Sequence, residues 1–330
     1  MLARRMRRLG LAVIVAALTL TGCGGSTPGR PSLPDATLVL DFTPNPVHAG
    51  IYEALARGDD IRAGVRLRVV APSASTDSIR LLETGRADFA ILDIHDLALA
   101  RARGRDLVGI MAIVQRPLAS VIAAPGISTP RGLAGRTVGV TGVPSDTAVL
   151  RSIVAGAGGN PGRVHTITIG FGAVPDLLAG RVAAATAFWN DEGVTVRRRR
   201  PGFHVFRVDQ YGAPAYPELV LVATRASLRA HPDLTRSVVA ALSTGYRQVL
   251  SDPDSGEQAL RSLVPGLDPR LLGIELHGLL SSFDEPGGRV GALNPSRLRA
   301  WARWEKKFGI VARLPRVGAM FTQRFLPPAH

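Results

Sequence analysis

The sequence predicts an α/β protein of two lobes, one inserted into the other. Three observations predict it. Short apolar strands alternate with helical stretches from about residue 36, the alternation restarts near residue 125, and beyond Arg225 the chain becomes chiefly helical. The crossings between lobes then fall near 120–126 and 218–225, which assigns 36–124 and 225–330 to lobe 1 and 125–224 to lobe 2. About 290 residues are available for this, ample for two cores and long for one.

The elements follow in order. "ATLVLDF" (36–42) is a buried strand ending in an acid and an aromatic. Asn45 is a good N-cap and Pro46 suits the first helical position, so a helix opens there, runs through "HAGIYEALARG" and closes on Gly58. "VRLRVVAP" (65–72) alternates as a strand does, and the helix after it has Ser75 or Thr76 as N-cap and Gly85 just past its end. "DFAILD" (88–93), "HDLALARARG" and "DLVGIMAIVQ" continue as strand, helix and strand, which argues for a parallel sheet. In the second lobe "TVGVT" passes through "TGVPSD" (141–146) into a helix with Ser145 as N-cap. "VHTITIG", "AVPDLLAGRVAA" and "ATAFW" repeat the unit, and "PELVLVAT" (217–224) is a strand leaving it.

The N-terminus has a different character. "MLARRMRR" is basic, "LGLAVIVAALTL" is apolar but too short for a comfortable membrane span, and "LTGC" follows. Residues 1–22 are expected to be a lipoprotein signal peptide, with Cys23, the single cysteine, as the lipidated residue. Residues 23–35, rich in Gly, Pro and Ser, then form a flexible tether. Diacyl anchoring would place the protein on the outer face of the cell membrane.

Composition narrows the function. The formal net charge is +14, but four of those charges, Arg4, Arg5, Arg7 and Arg8, belong to the leader. The remaining cations are scattered arginines, with only Lys306 and Lys307 as lysines, which fits compositional bias and not a nucleic-acid surface. The run "RRRR" at 197–200 reads as the solvent-side end of a helix, where cations suit the dipole. There is no P-loop, HExxH or GxSxG, and the seven histidines do not pair at metal-ligand spacing. No metal and no cofactor are expected.

Two stretches carry candidate binding chemistry. "LDFTPNPVH" places Asp41, Phe42 and Asn45 at the carboxyl end of a strand and His48 in the first helical turn. Open α/β sheets bind ligands at such ends. Asp41 and His48 satisfying each other across the turn would explain the same pattern. "AFWNDEG" presents Trp189, Asn190 and Glu192 in the same way, with a capping role for Asn190 as the plain alternative. An aromatic face beside amides and carboxylates suits a flat heterocycle. Asp93 ends the third strand, and Tyr211, Tyr216 and Glu218 lie near the second crossing.

"LDFTPNPVHAGIYEA", "GRADFAI", "LAGRTVGV", "VPDLLAGRVAAATAFWNDEG" and "YGAPAYPELVLVA", in this order over residues 36–250, resemble the periplasmic binding proteins of ABC importers. Within those they resemble the branch related to the thiamine-pyrimidine-precursor synthases. The resemblance implies a type II binding-protein fold, two α/β lobes joined by two crossing strands that close on a ligand in the cleft. It implies a binding lipoprotein, not an enzyme, that captures an aminopyrimidine thiamine precursor as a monomer and delivers it to a membrane permease. A flavin or another flat heterocycle is the alternative ligand, and a sensory role or a synthase-like activity the alternative function. Asn45, His48, Trp189, Asn190, Glu192, Tyr211 and Glu218 match the branch's pattern, whereas Phe42 stands where relatives often carry Trp. After "ADFAI", relatives often read Tyr-Gln-Pro-Asp. This chain has Asp93, Ile94, His95 and Asp96 one residue further on, so an expected aromatic is missing from that wall. The synthases' cysteine-rich motif is absent, and the two lysines lie near the C-terminus.

Overall fold

The computed structural model describes residues 32–74, 76–284 and 289–328. The expected signal peptide, Cys23, the expected tether up to residue 31, and Ser75 lie outside the described residues. Ten strands are described: β1 (Asp35–Val39), β2 (Arg66–Val70), β3 (Phe89–Asp93), β4 (Leu107–Val114), β5 (Ala119–Ala123), β6 (Thr137–Val140), β7 (His165–Thr168), β8 (Ala184–Phe188), β9 (His204–Arg207) and β10 (Leu219–Thr224). They form two five-stranded sheets, ordered β2-β1-β3-β10-β4 and β7-β6-β8-β5-β9.

Most strand pairs joined by helices are parallel, as the alternation predicts: β1 with β2 and β3, and β6 with β7 and β8. Each sheet also holds a strand that arrives from the other sheet and runs antiparallel. β10 lies between β3 and β4, and β5 lies between β8 and β9. The uniformly parallel expectation fails there because these two strands enter directly from the other sheet, without a helical crossover to fix their direction.

The chain leaves the first sheet through residues 115–118 and returns through 208–218. Both passages lie upstream of the expected crossings at 120–126 and 218–225. Hence 119–123 pairs in the second sheet and 219–224 in the first, the reverse of the division at 124/125 and 224/225. Hydrophobicity marks a strand but does not name its partners. β5 and β9 are not anticipated as strands: "ASVIA" and "HVFR" are only five and four residues long, and their flanking Pro-Gly turns at 125–126 and 201–202 read as part of the connections.

Packing fixes the site's supports. The helix Ala49–Arg57 lies against the long helix Pro232–Ser251 through two glycines. A Cβ on Gly245 would meet the Gly50 carbonyl at 2.0 Å, and one on Gly50 would meet the Tyr246 ring at 2.3 Å. The Tyr246 hydroxyl then donates to the Val47 carbonyl at 2.7 Å, tying down the turn that opens the first helix. The helix Pro295–Lys307 buries Trp301, Trp304 and Glu305. No helix among the described residues is long and apolar enough to cross a membrane.

Candidate functional site

The carboxyl ends of five strands converge on one cavity of about 110 Å³. Asp41 and Phe42 follow β1, Asp93 ends β3, Thr141 to Asp146 follow β6, Phe171 follows β7, and Phe188 and Glu192 come from the end of β8. Asp96, Ser78 and Ser120 complete much of the polar wall. The composition of the lining is one-sided. Five carboxyl groups face three phenyl rings, and among the described residues no Lys, Arg or His lines the cavity.

Each acid is held by a named donor. His48 is fully buried, its Nδ1 accepts from the Asn45 amide at 3.2 Å, and its Nε2 therefore carries the hydrogen it donates to Asp41 Oδ1 at 2.9 Å. Asn45 Oδ1 accepts from the Val47 amide at 2.9 Å, which closes a reciprocal cap. Asp93 Oδ1 caps its helix by accepting from the His95 amide at 2.7 Å. Ser145 Oγ donates to Asp96 Oδ1 at 2.7 Å, a bond between the first sheet's helix and the second sheet's. The expected N-cap role of Ser145 is thereby replaced: Val143 occupies the cap position. Asp146 accepts from the amide and hydroxyl of Thr141 at 2.7 and 2.5 Å, and Glu192 from the Phe188 amide at 3.1 Å.

Burial dominates the electrostatics. It raises Asp96 to about 6 and Glu192 to about 8, the charge of Asp191 adding to the latter. Asp93 lies well above the usual carboxylate range and Asp146 is also raised, in both cases because burial disfavours the anion. At neutral pH the cavity therefore presents neutral carboxyl groups, which donate, beside carboxylates, which accept.

The structure brings Asp41, Phe42, Asp93 and Glu192 to the cavity wall, and places the other sequence candidates behind it. Asn45 and His48 form the buried support of Asp41. Trp189 donates from Nε1 to the Pro117 carbonyl at 3.0 Å, and the Arg207 guanidinium covers its ring at 4.3 Å. Phe188, the last residue of β8, lines the cavity, whereas Trp189 just past the strand end is held by these two contacts and does not. Asn190 is buried with no protein partner for its side-chain oxygen or nitrogen. Tyr211 stands edge-on to Phe206. Glu218 is buried and accepts from the amides of Leu118 and Ala119.

Sequence reasoning missed Phe171, Phe188, Asp96 and Asp146 as wall residues. Phe171 follows strand β7 between two glycines, and the carboxyl-end rule that selected Phe42 applies to it equally. It meets Phe42 edge-on with ring centroids 4.4 Å apart, closing the cavity between the two sheets. One oxygen or nitrogen each of Asp93, His95 and Glu218 lies within 4.8 Å of the others. Both nitrogens of His95 are already engaged, by Glu305 and by the Tyr216 hydroxyl at 3.0 Å, which leaves it no lone pair for a cation.

Comparison with known proteins follows the same lines. A family model described as NMT1/THI5 like matches residues 45–256. The formylaminopyrimidine-binding protein of Halalkalibacterium halodurans is 28% identical over 292 residues, 85% of this chain and 88% of the relative. The 4-amino-5-hydroxymethyl-2-methylpyrimidine phosphate synthase of Legionella pneumophila is 21% identical over 299 residues, 88% of this chain and 92% of the relative. Among solved structures, the alkanesulfonate-binding protein SsuA of Xanthomonas axonopodis pv. citri bound to MOPS superposes with a TM-score of 0.70 at 15% identity, over 88% of this chain and 98% of that one. That likeness is one of fold, the periplasmic-binding-protein fold expected from the sequence.

Proposed function

The chain belongs to the NMT1/THI5-like family, and from that premise we propose that it is the extracytoplasmic solute-binding component of an ABC importer whose ligand is an aminopyrimidine. In this reading the two sheets belong to two lobes that close on the ligand about the passages 115–118 and 208–218. A diacyl anchor on Cys23 holds the protein at the outer face of the membrane, beside the permease to which it delivers.

The observation that carries the ligand class is the lining: five carboxyl groups, three phenyl rings and no basic side chain. An aminopyrimidine offers N–H donors next to ring nitrogens that accept, and an edge of that kind pairs with a carboxyl or carboxylate through two hydrogen bonds. When the ring is protonated the pair is charge-assisted. The phenyl rings serve its faces. A sulfonate or nitrate would meet carboxylates where it needs donors, so sharing a fold with SsuA does not extend to sharing its ligand.

Two features support binding without turnover. Lys306 and Lys307 are exposed on the helix Pro295–Lys307 and do not line the cavity, which thus lacks an amine for a Schiff base. The two histidines behind the wall, His48 and His95, are each committed on both nitrogens.

The test is a pair of neighbouring substitutions read by calorimetry with formylaminopyrimidine. Phe188→Ala removes a stacking face and is expected to cost about 1–3 kcal/mol, by analogy with base–aromatic stacking. Trp189→Ala is expected to cost less than half of that. A larger loss at Trp189 than at Phe188 would overturn the assignment of the wall.

A further inference from the structure

Behind the cavity wall lies a buried cluster whose charges do not balance. Asp93 and Asp96 belong to the first sheet's side of the cavity, Glu218 to the return passage, and Glu305 to the helix Pro295–Lys307. Against these four acids stands one imidazole, His95, bonded to Glu305 and raised to about 9 chiefly by that carboxylate, against the opposing effect of burial. Tyr216 on the return passage is bonded to His95. Asp146 faces the cluster across the cavity, and Asp209, paired with Arg207 at 2.8 Å, lies further along the return passage. The charge of His95 also acts on Asp93, but its ring nitrogens bond to Glu305 and Tyr216 and not to Asp93 or Glu218.

Glu218 occupies an unusual position. One oxygen, Oε2, accepts from the amides of Leu118 and Ala119, at the end of the outgoing passage and the start of β5. Its backbone carbonyl accepts from the Ile94 amide at 2.9 Å, next to Asp93. A single residue thus ties the return passage to the outgoing one and to the cavity wall. Its other oxygen, Oε1, is buried and without a partner, and one oxygen each of Asp93 and Glu218 lies within 4.8 Å of the other.

The geometry points to a shared proton as the missing partner: Asp93 is a neutral carboxylic acid that donates to Oε1 of Glu218, and Glu218 is a positioning residue that holds the two passages together for ligand capture. Asp93 is the member that carries the proton, because the two amide bonds favour the anion of Glu218. Loss of the proton leaves two adjacent buried carboxylates, which repel and lack solvation, so the passages separate. Burial raises both carboxyls, Asp93 well above the usual carboxylate range, so the pair keeps its proton where exposed carboxyls have lost theirs. Asp93 lines the cavity, so a ligand that draws on its proton acts on the same bond. This inference rests on the two-lobed capture reading, but its test needs no ligand.

The test uses the purified chain carrying Cys23→Ser, with spin labels at Arg163→Cys and Arg229→Cys, two exposed positions on the two sheets' sides. Pulsed dipolar spectroscopy reads the label separation between pH 5 and pH 9. The expected result is one compact distance at pH 5 and a longer, broader population at pH 9. Asp93→Asn, whose amide donates to Glu218 without titrating, is expected to hold the compact distance throughout. Infrared difference spectra supply the second readout: the protonated-carboxyl band of Asp93 at pH 6, lost in Asp93→Asn and shifted in frequency in Glu218→Gln, where the anionic acceptor is gone. A separation independent of pH in the parent chain, an Asp93→Asn variant that follows pH as the parent does, or an unchanged carboxyl band in both variants would each overturn the inference. Failure of aminopyrimidines to bind would overturn the proposed ligand and leave this result unaffected.

Discussion

At the scale of single residues, the site works by placing acids where water cannot fully solvate them. Glu192 shows the consequence most directly. Its folded value of about 8 lies above that of an unfolded glutamate, so the folded chain holds the extra proton between the two values. Stability from this group is greatest below the unfolded value and declines as pH rises toward about 8. The ligand-free chain is therefore expected to melt at a lower temperature at about pH 9 than at about pH 5. Glu192→Gln should reduce that difference by several degrees, measured by calorimetric melting at both pH values. An unaltered pH dependence in the variant would show that Glu192 is not the titrating group. Asp41 illustrates the opposite device, a carboxyl oriented by a histidine that never touches the cavity. His48→Ala is expected to weaken ligand binding about tenfold, since Asp41 loses the donor that aims it, while the cavity lining stays intact. Unchanged affinity would make the pair purely structural.

At the scale of elements, strand ends and helix starts decide what reaches the cavity. The turn after β1 is built by Asn45, Pro46 and His48 in a reciprocal cap, and losing the cap by Asn45→Ala is expected to cost about 0.5–2 kcal/mol of stability. Denaturant unfolding would read this, and a neutral result would contradict the cap. The contact of the helix Ala49–Arg57 with Pro232–Ser251 is more exacting. Gly245→Ala would set a methyl group 2.0 Å from a backbone carbonyl, so the two helices must part. That variant should lower the melting temperature more than Gly278→Ala, where a Cβ meets nothing within 4 Å.

Much of this level was legible in the sequence. The alternation of strands and helices located eight of the ten strands, and the Asn-Pro start and Gly58 stop bounded the first helix as found, Gly58 taking φ 68°. The carboxyl-end rule located Asp41, Phe42, Asp93 and Glu192. What was not legible depends on partners far along the chain. Whether Phe188 or Trp189 faces inward depends on the register of β8 with β5, and whether Ser145 caps a helix or reaches Asp96 depends on the other sheet. Neither is encoded in local spacing.

At the scale of the whole molecule, the two sheets share a buried hydrophobic cluster, and polar and aromatic contacts join them as well, among them Ser145 with Asp96, Phe42 with Phe171, and Thr195 with Glu275 at 3.4 Å. In the proposed reading, a ligand held between them would add its own contacts to both sides and so favour a closed arrangement by its differential affinity. The lining then decides which ligand can do so. The most direct measurement is calorimetric titration of the chain, unfolded and refolded to strip carried-over ligand, with formylaminopyrimidine, 4-amino-5-hydroxymethyl-2-methylpyrimidine, riboflavin and an alkanesulfonate. The account predicts saturable binding of an aminopyrimidine and no heat from the sulfonate. Binding of the sulfonate, or of riboflavin in place of both pyrimidines, would contradict it.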